Sequence, residues 1–223
     1  MSRQSGFSML EVLLALSLGM LLLLAASRLF IAASQSWQAQ MAAAQMQEDG
    51  RLALQRLTQS IRMAGAFGCL RYDAVDFLDP LAAQAFAQPL HVSRDAQGRL
   101  LRLSLISAES VYTSGEPDWT LLTDCVTHAM VHAGAKKPAD GQFAIPIRRQ
   151  EYRLVADQLR LRSAASNGVL VEGVSELQLE LLRTSTLAVS GVRLSLTLTD
   201  PQQRVRPQTY RVSVALGNPV DLL

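Results

Sequence analysis

The chain has 223 residues, a formal net charge of +2 and an aromatic content of only 5%. Such a nearly neutral balance gives no general attraction to nucleic acid, so we expect no nucleic-acid partner. The sequence also lacks the Gly-x-Ser-x-Gly, Gly-x-x-x-x-Gly-Lys-Ser/Thr and His-Glu-x-x-His motifs of hydrolases, nucleotide-binding proteins and metalloproteases. These observations predict a protein that is not an enzyme and needs no cofactor.

An apolar segment dominates the N-terminal part of the chain. From Phe7 to Ser27 there is a single charged residue, Glu11, and the short segment before it carries one basic residue, Arg3. As a helix, these residues would span about 31 Å, close to the thickness of a bilayer core. We predict a membrane-crossing helix whose Arg3 side faces the cytoplasm.

Glu11 is the unusual residue of this segment. A carboxylate inside a bilayer costs a few kcal/mol unless it is paired, so Glu11 is a candidate functional residue. Cleavage between Gly6 and Phe7 would create an α-amino group four residues before Glu11. Because residues four apart share a helix face, this amine could pair with Glu11 of the same chain or of a neighbouring one.

These residues resemble the class III signal of type IV pilins and pseudopilins, which has a short basic leader ending in Gly, then Phe, then a carboxylate at the fifth mature position. The resemblance implies that a prepilin peptidase cuts after Gly6 and that Phe7 becomes N-methylated. It also implies that Glu11 docks one subunit beside another. A secretory signal peptide cut after Ala25-Ala26-Ser27 and a plain signal anchor are the alternatives.

The helical pattern continues well beyond the apolar segment. Strong helix formers fill residues 32–64 without a proline. We predict one helix from about Ser8 to Met63, in which Gly50 either permits a bend or is tolerated. Its second half carries an apolar stripe at spacings of three and four, which we expect to pack on a sheet. The stripe consists of Leu54, Leu57, Ile61 and Ala64, and the helix is expected to end at Gly65 and Gly68.

Three further stretches resemble one particular group of type IV pilins. Residues 47–54, 61–69 and 170–174 look like corresponding elements of the PilW-type minor pilins, which are related to the J-type pseudopilins of type II secretion. A minor pilin of this kind would help to start a type IV pilus and so serve twitching motility and adhesion. The implied partners are prepilin peptidase, other minor pilins, the major pilin and a tip adhesin. The implied location is the inner membrane with a periplasmic head, and later the pilus outside the cell.

Two other functions stay open at this point. The chain could be a pseudopilin at the tip of a type II secretion pseudopilus, which the gene neighbourhood would reveal. It could also be a binding module at a pilus tip that contacts an adhesin, a surface or DNA.

The chain has two cysteines, Cys69 and Cys125. An exported domain, as the resemblance implies, meets an oxidising compartment in which a lone pair of cysteines usually forms a disulfide. We therefore expect a Cys69–Cys125 disulfide, with two free thiols as the alternative.

Two groups of residues have spacings that raise the question of a metal site. Asp73, Asp76 and Asp79 are three apart, but a calcium loop needs denser oxygen ligands. His128 and His132 have the spacing of a helical metal pair, but no third ligand is apparent nearby. We predict that neither group binds a metal.

The remaining sequence predicts an α+β protein with a type IV pilin fold, a long N-terminal helix packed on an antiparallel β-sheet head. Residues 70–98 are expected to connect the helix to the sheet, with a short helix at 81–86, and Trp119 is expected in a loop. Alternating apolar and polar residues predict strands at 99–107 and from Ile145 onward. The expected divisions are a leader at 1–6, a membrane or filament-core helix at 7–27, its amphipathic continuation at 28–65 and the head at 66–223.

Overall fold

The computed structural model describes residues 8–96, 98–109, 115–163, 166–183 and 189–220. The chain separates into two compact units, Met1–Gln45 and Met46–Leu223. In the first unit the described residues are almost entirely helical. The second unit contains the C-terminal part of the same helix and all the described strands.

A long helix precedes a set of mostly short strands. The helix α1 covers Met9–Met63, close to the predicted bounds, and α2 covers Pro80–Ala87. A short 3-10 helix occupies Tyr72–Ala74. The strands are β1 Val75–Phe77, β2 Leu90–Arg94, β3 Leu100–Ala108, β4 Trp119–Thr123, β5 Ala129–Ala133, β6 Phe143–Val155, β7 Gln158–Ser163, β8 Ser166–Val171, β9 Val174–Arg183, β10 Val189–Leu198 and β11 Gln208–Val220.

The predicted α+β architecture, a long N-terminal helix with a largely antiparallel β head, is confirmed, and the described strands form two sheets. One sheet has the order β1-β5-β4-β6-β3-β2, with β7 beside β6 and β8 beside β7, and the other has the order β11-β10-β9. Strands β1 and β5 run parallel, whereas the other pairs are antiparallel.

The chain passes from the first sheet to the second at Gly173. This residue has a φ of +70°, and its carbonyl accepts a hydrogen bond from the Thr199 amide at 2.8 Å. A Cβ at this position would lie 2.6 Å from the Thr199 carbonyl oxygen, so only glycine fits without a shift of the backbone. The apolar run 169–174 is thus divided between two strands.

The apolar stripe of α1 packs as predicted. Leu57, Ile61 and Ala64 are fully buried and Leu54 is nearly so. They share one core with residues of β9, β10 and β11 and with β2, β3, β6 and β7. Burial of a side chain as large as Leu or Ile contributes about 1.5–3 kcal/mol, so this stripe is a main stabilising contact of the second unit.

A buried polar cluster fixes how α1 sits on the first sheet. The hydroxyl of Ser60 lies 2.8 Å from both Gln150 Oε1 and the Tyr152 hydroxyl. Burial raises the pKa of Tyr152 above its usual value of about 10. Because a polar group buried without a partner is costly, rotation of the helix away from this position would be penalised.

Gly50 has a packing role that neither sequence interpretation contained. It is buried in the C-terminal part of α1, and a Cβ added there would lie 2.7 Å from Cδ2 and 2.8 Å from Cε2 of Tyr210 on β11. Gly50 therefore lets a strand side chain approach the helix backbone closely.

A second core lies on the other face of the first sheet. Phe86 of α2 makes edge-to-face contact with Trp119, at a centroid distance of 5.7 Å, and Phe67 stacks on Phe86 at 4.3 Å. The predicted loop position of Trp119 is wrong, because this residue begins β4 and is only 8% exposed. Residues 70–98 are more ordered than predicted, since they contain β1 and β2 besides the expected short helix.

Candidate functional site

The first turn of α1 is the candidate site, and Ser8 organises it. The Ser8 carbonyl accepts hydrogen bonds from the amides of Glu11 at 3.0 Å and Val12 at 3.2 Å. The Ser8 hydroxyl accepts one from the Leu10 amide at 3.3 Å. Ser8 is therefore the N-cap of the helix, a role that we did not predict. The Ser-x-x-Glu spacing of a capping box was the available signal.

Glu11 lies in this first turn and is exposed. No ion pair of Glu11 occurs within the described part of the chain. A carboxylate here interacts favourably with the positive end of the helix dipole. Gly6 and Phe7, the predicted cleavage and methylation positions, lie outside the described residues.

The helix behind Glu11 is apolar and exposed. Its most apolar window of 18 residues has a mean hydropathy of 2.4 and is not buried within the protein. Leu10, Leu22 and Leu23 are each more than 70% exposed. By length and composition this helix can cross a membrane, which is consistent with a membrane anchor.

One comparison with known proteins bears on this end of the chain. Residues 1–27 match the family model described as the prokaryotic N-terminal methylation motif. No curated protein and no solved structure matches the chain significantly.

The motif and the architecture together indicate a type IV pilin-like protein. This class includes pilins and pseudopilins, and its members are structural subunits. The motif implies processing by prepilin peptidase and assembly with other pilins.

The disulfide lies in the second unit. The structure joins Cys69, six residues after the end of α1, to Cys125 with a Cα–Cα distance of 5.4 Å, as expected from the sequence. Such a distance is typical of an unstrained bridge. The segment that leaves α1 is thereby attached to the loop between β4 and β5.

Asp124 holds the loop that carries Cys125. Its carboxylate accepts hydrogen bonds from the amides of Val126, Thr127 and His128, each at 2.9 Å. These bonds, foremost the one from His128, hold the pKa of Asp124 well below its usual range. They also support the positive φ of 59° at Cys125.

The spaced acidic residues serve separate local contacts. Asp73 forms an ion pair with Arg71 at 3.3 Å. Asp79 caps α2 by accepting a hydrogen bond from the Leu81 amide at 2.9 Å. Asp76 lies 3.7 Å from Nε2 of His128.

The two histidines do not form a helical pair, because His132 belongs to β5 and His128 to the preceding loop. Within the described ranges, no group of three or more His, Cys, Asp or Glu residues is placed to hold a metal ion.

Proposed function

We propose that this protein is a PilW-type minor pilin that helps to initiate a type IV pilus. The observation that carries the proposal is Glu11, an acid in the first turn of an exposed apolar helix that matches the N-terminal methylation motif. Capping and the helix dipole favour an acid in the first turn of any helix, but only pairing with a cation offsets the cost of a carboxylate inside a bilayer. A subunit that docks through its N-terminus supplies that cation.

The chemistry of docking follows from charge. Cleavage after Gly6 produces an α-amino group on Phe7, directly before the N-cap Ser8. This cation and the helix dipole are both positive at this end, so a carboxylate within one turn stabilises both. In a bundle of such helices, the amine of a neighbouring chain competes for Glu11. The attraction between them strengthens as water leaves.

The second unit supplies the head of the proposed subunit. Its disulfide is in keeping with an oxidising location such as the periplasm. It contains two sheets and two hydrophobic cores. A bulky head of this kind suits a rare position, at the start or the tip of a filament, better than a repeated one.

A pseudopilin of type II secretion remains the second candidate, because the methylation motif is common to both groups. The resemblance of residues 47–54 and the cysteine pair favour the pilus. Loss of pili, rather than loss of protein secretion, on deletion of the gene would distinguish the two.

The proposal is tested by mass spectrometry of the N-terminus in a host with active prepilin peptidase. We expect a mature chain that begins with N-methylated Phe7. A chain that begins at Arg28 would indicate a secretory signal peptide, and an uncut chain would indicate a plain anchor. Either result would overturn the proposal.

A further inference from the structure

The first sheet carries a row of arginines that are far apart in the sequence. The strand register places Arg102 of β3 opposite Arg153 of β6. It also places Arg153 opposite Arg160 of β7. Because residues that are directly opposite each other point to the same face, the three side chains form a row across three strands, over about 10 Å.

Two more arginines extend this row into a cluster. Arg149 lies four residues before Arg153 on β6 and therefore on the same face. Its guanidinium group lies 5.0 Å from the centre of the Trp119 ring. Arg162 of β7 lies opposite Glu151 of β6. We call Arg102, Arg149, Arg153, Arg160 and Arg162 the arginine face.

Carboxylates partly neutralise the arginine face, foremost Glu151. Glu151 accepts a hydrogen bond from Nε of Arg153 at 3.0 Å and lies 3.8 Å from Nη1 of Arg102. Arg160 donates to the neutral Gln158 amide oxygen at 3.2 Å. The same Gln158 donates to the Glu172 carboxylate at 2.9 Å, and the Asp118 carboxylate accepts a hydrogen bond from the Arg149 backbone amide at 2.8 Å. Five positive charges against these three carboxylates leave a formal excess of two.

Folding alone does not favour this arrangement. Like charges that lie directly opposite each other destabilise a sheet, and the row contains two such pairs, Arg102 with Arg153 and Arg153 with Arg160. The side chains are also accessible, since Arg102 is 46% and Arg153 is 34% exposed. A binding role accounts for a charge pattern that stability does not explain.

We propose that the arginine face binds the phosphate backbone of nucleic acid. Guanidinium groups suit phosphate because their planar donors form two parallel hydrogen bonds with it. Nucleic-acid interfaces are strongly positive, whereas at the centres of protein interfaces arginine is enriched together with aromatic residues and methionine in an apolar setting. Charged groups occupy the centre of the arginine face, and an exposed apolar residue, Val169, lies at its margin, opposite Arg160.

The size of the arginine face fits a short stretch of backbone. A DNA duplex rises about 3.4 Å along its axis for each base pair, so a row of about 10 Å extends along about three base-pair steps of both strands. This inference goes beyond the proposed assembly function and does not depend on it, because it uses no residue of α1. It also differs from the expectation, based on the net charge of +2, that the protein has no nucleic-acid partner. A small net charge does not exclude a local excess of positive charge on one surface.

The test uses the full chain in micelles of an uncharged detergent, with a short fluorescent DNA duplex as the probe. We expect binding at about 50 mM salt that weakens by two to three powers of ten at about 200 mM, as five phosphate contacts predict. The triple variant Arg102→Gln, Arg153→Gln, Arg160→Gln should bind at least about tenfold more weakly, with a salt slope smaller by about 2.7. Glu151→Gln should bind more tightly than the wild type.

A matched control removes the same charge elsewhere. Arg51, Arg71 and Arg193 are exposed arginines outside the arginine face, and their triple change to Gln should leave binding within about twofold of wild type. Equal losses in both triple variants would show unspecific attraction and overturn the proposal.

The proposal would also be overturned by an absence of duplex binding at low salt. The same holds for binding only to micelles that contain phosphatidylglycerol, or only to an acidic partner protein. Unfolding temperatures of all variants show whether a loss of binding reflects a loss of fold.

Discussion

The ring of Tyr210 on β11 occupies the space that a side chain at Gly50 of α1 would need. A Cβ at position 50 would lie 2.7 Å from the ring, well inside van der Waals contact. Glycine at this helical position lowers stability by about 1 kcal/mol relative to alanine, so the close packing must offset that cost. The absence of a side chain at Gly50 therefore allows α1 to pack closely against the second sheet.

The first prediction concerns Gly50→Ala. We expect this variant to be destabilised by about 1–3 kcal/mol, because the added methyl group forces the Tyr210 ring to move. In a Tyr210→Ala background the same change should stabilise by up to about 1 kcal/mol, since only the helix propensity remains. Urea denaturation of the four proteins in the cycle measures both effects. A stabilising Gly50→Ala in the wild-type background would contradict the packing role.

The second prediction separates the charge of Glu11 from its capping position. Glu and Gln both suit the third position of a capping box, so Glu11→Gln should retain the helix start. If Glu11 pairs with an amine, this variant should be cleaved normally but should fail to enter pili, as should Glu11→Ala. A buried amine without its partner costs about 3–5 kcal/mol. Glu11→Asp should be intermediate, because the charge remains on a shorter side chain.

Recovery of each Glu11 variant in sheared pili, with the membrane fraction as the reference, provides the measurement. Leader cleavage, followed by mass spectrometry, is the control for correct insertion. Wild-type recovery of Glu11→Gln would mean that capping rather than charge is the role of this residue.

The third prediction concerns the disulfide. The cysteines are 56 residues apart, and loop-closure entropy assigns such a bridge about 4 kcal/mol. The double variant Cys69→Ser, Cys125→Ser should therefore unfold at much lower urea concentration than the oxidised wild type. It should resemble the wild type treated with a reductant. Non-reducing peptide mapping of protein isolated from cell membranes without reductant should yield the linked pair, and recovery of two free thiols would refute the bridge.

The fourth prediction concerns acid stability. The buried carboxylate of Asp200 accepts two hydrogen bonds from the Arg204 guanidinium, each at 2.8 Å, and they hold the pKa of Asp200 well below its usual range. A lowered pKa in the folded state stabilises the protein above the unfolded value of about 3.9, and this contribution is lost as the pH falls below it. Asp200→Asn should therefore be less stable at pH 7 and should lose less further stability on acidification.

Denaturation at neutral and at acid pH measures the effect of Asp200→Asn. Asp140→Asn is the matched control, because Asp140 is exposed and forms no ion pair within the described ranges. If Asp200→Asn and the wild type lost equal stability on acidification, protonation of Asp200 would not contribute to the acid sensitivity of the protein.

Sequence-based prediction succeeded where the period of apolar residues matched an element with one buried face. The stripe of Leu57 and Ile61 has the helical period, and it is buried as expected. The alternation in β10 and β11 likewise predicts two strands that bury one face. The methylation motif was also readable, because its acid and its apolar run are local.

The missed features depend on contacts between distant segments. Strand β4 is buried along most of its length, so it shows no alternation, and Trp119 was assigned to a loop. Strand β1 has only three residues and pairs in parallel with β5, which no local pattern encodes. The arginine face joins residues about 50 positions apart, and only the register between β3 and β6 brings them together. The role of Gly50 likewise required knowledge of Tyr210.

The shared core of α1 and the last strands has a consequence for biosynthesis. Leu57 is covered by a core that includes Leu216, which follows about 160 residues later in the chain. At a synthesis rate of roughly 5–20 residues per second, the apolar stripe emerges about 8–30 s before that strand exists. During this interval the stripe is open to aggregation and to proteases. A nascent chain of this protein thus has a defined period in which binding by a chaperone would matter most.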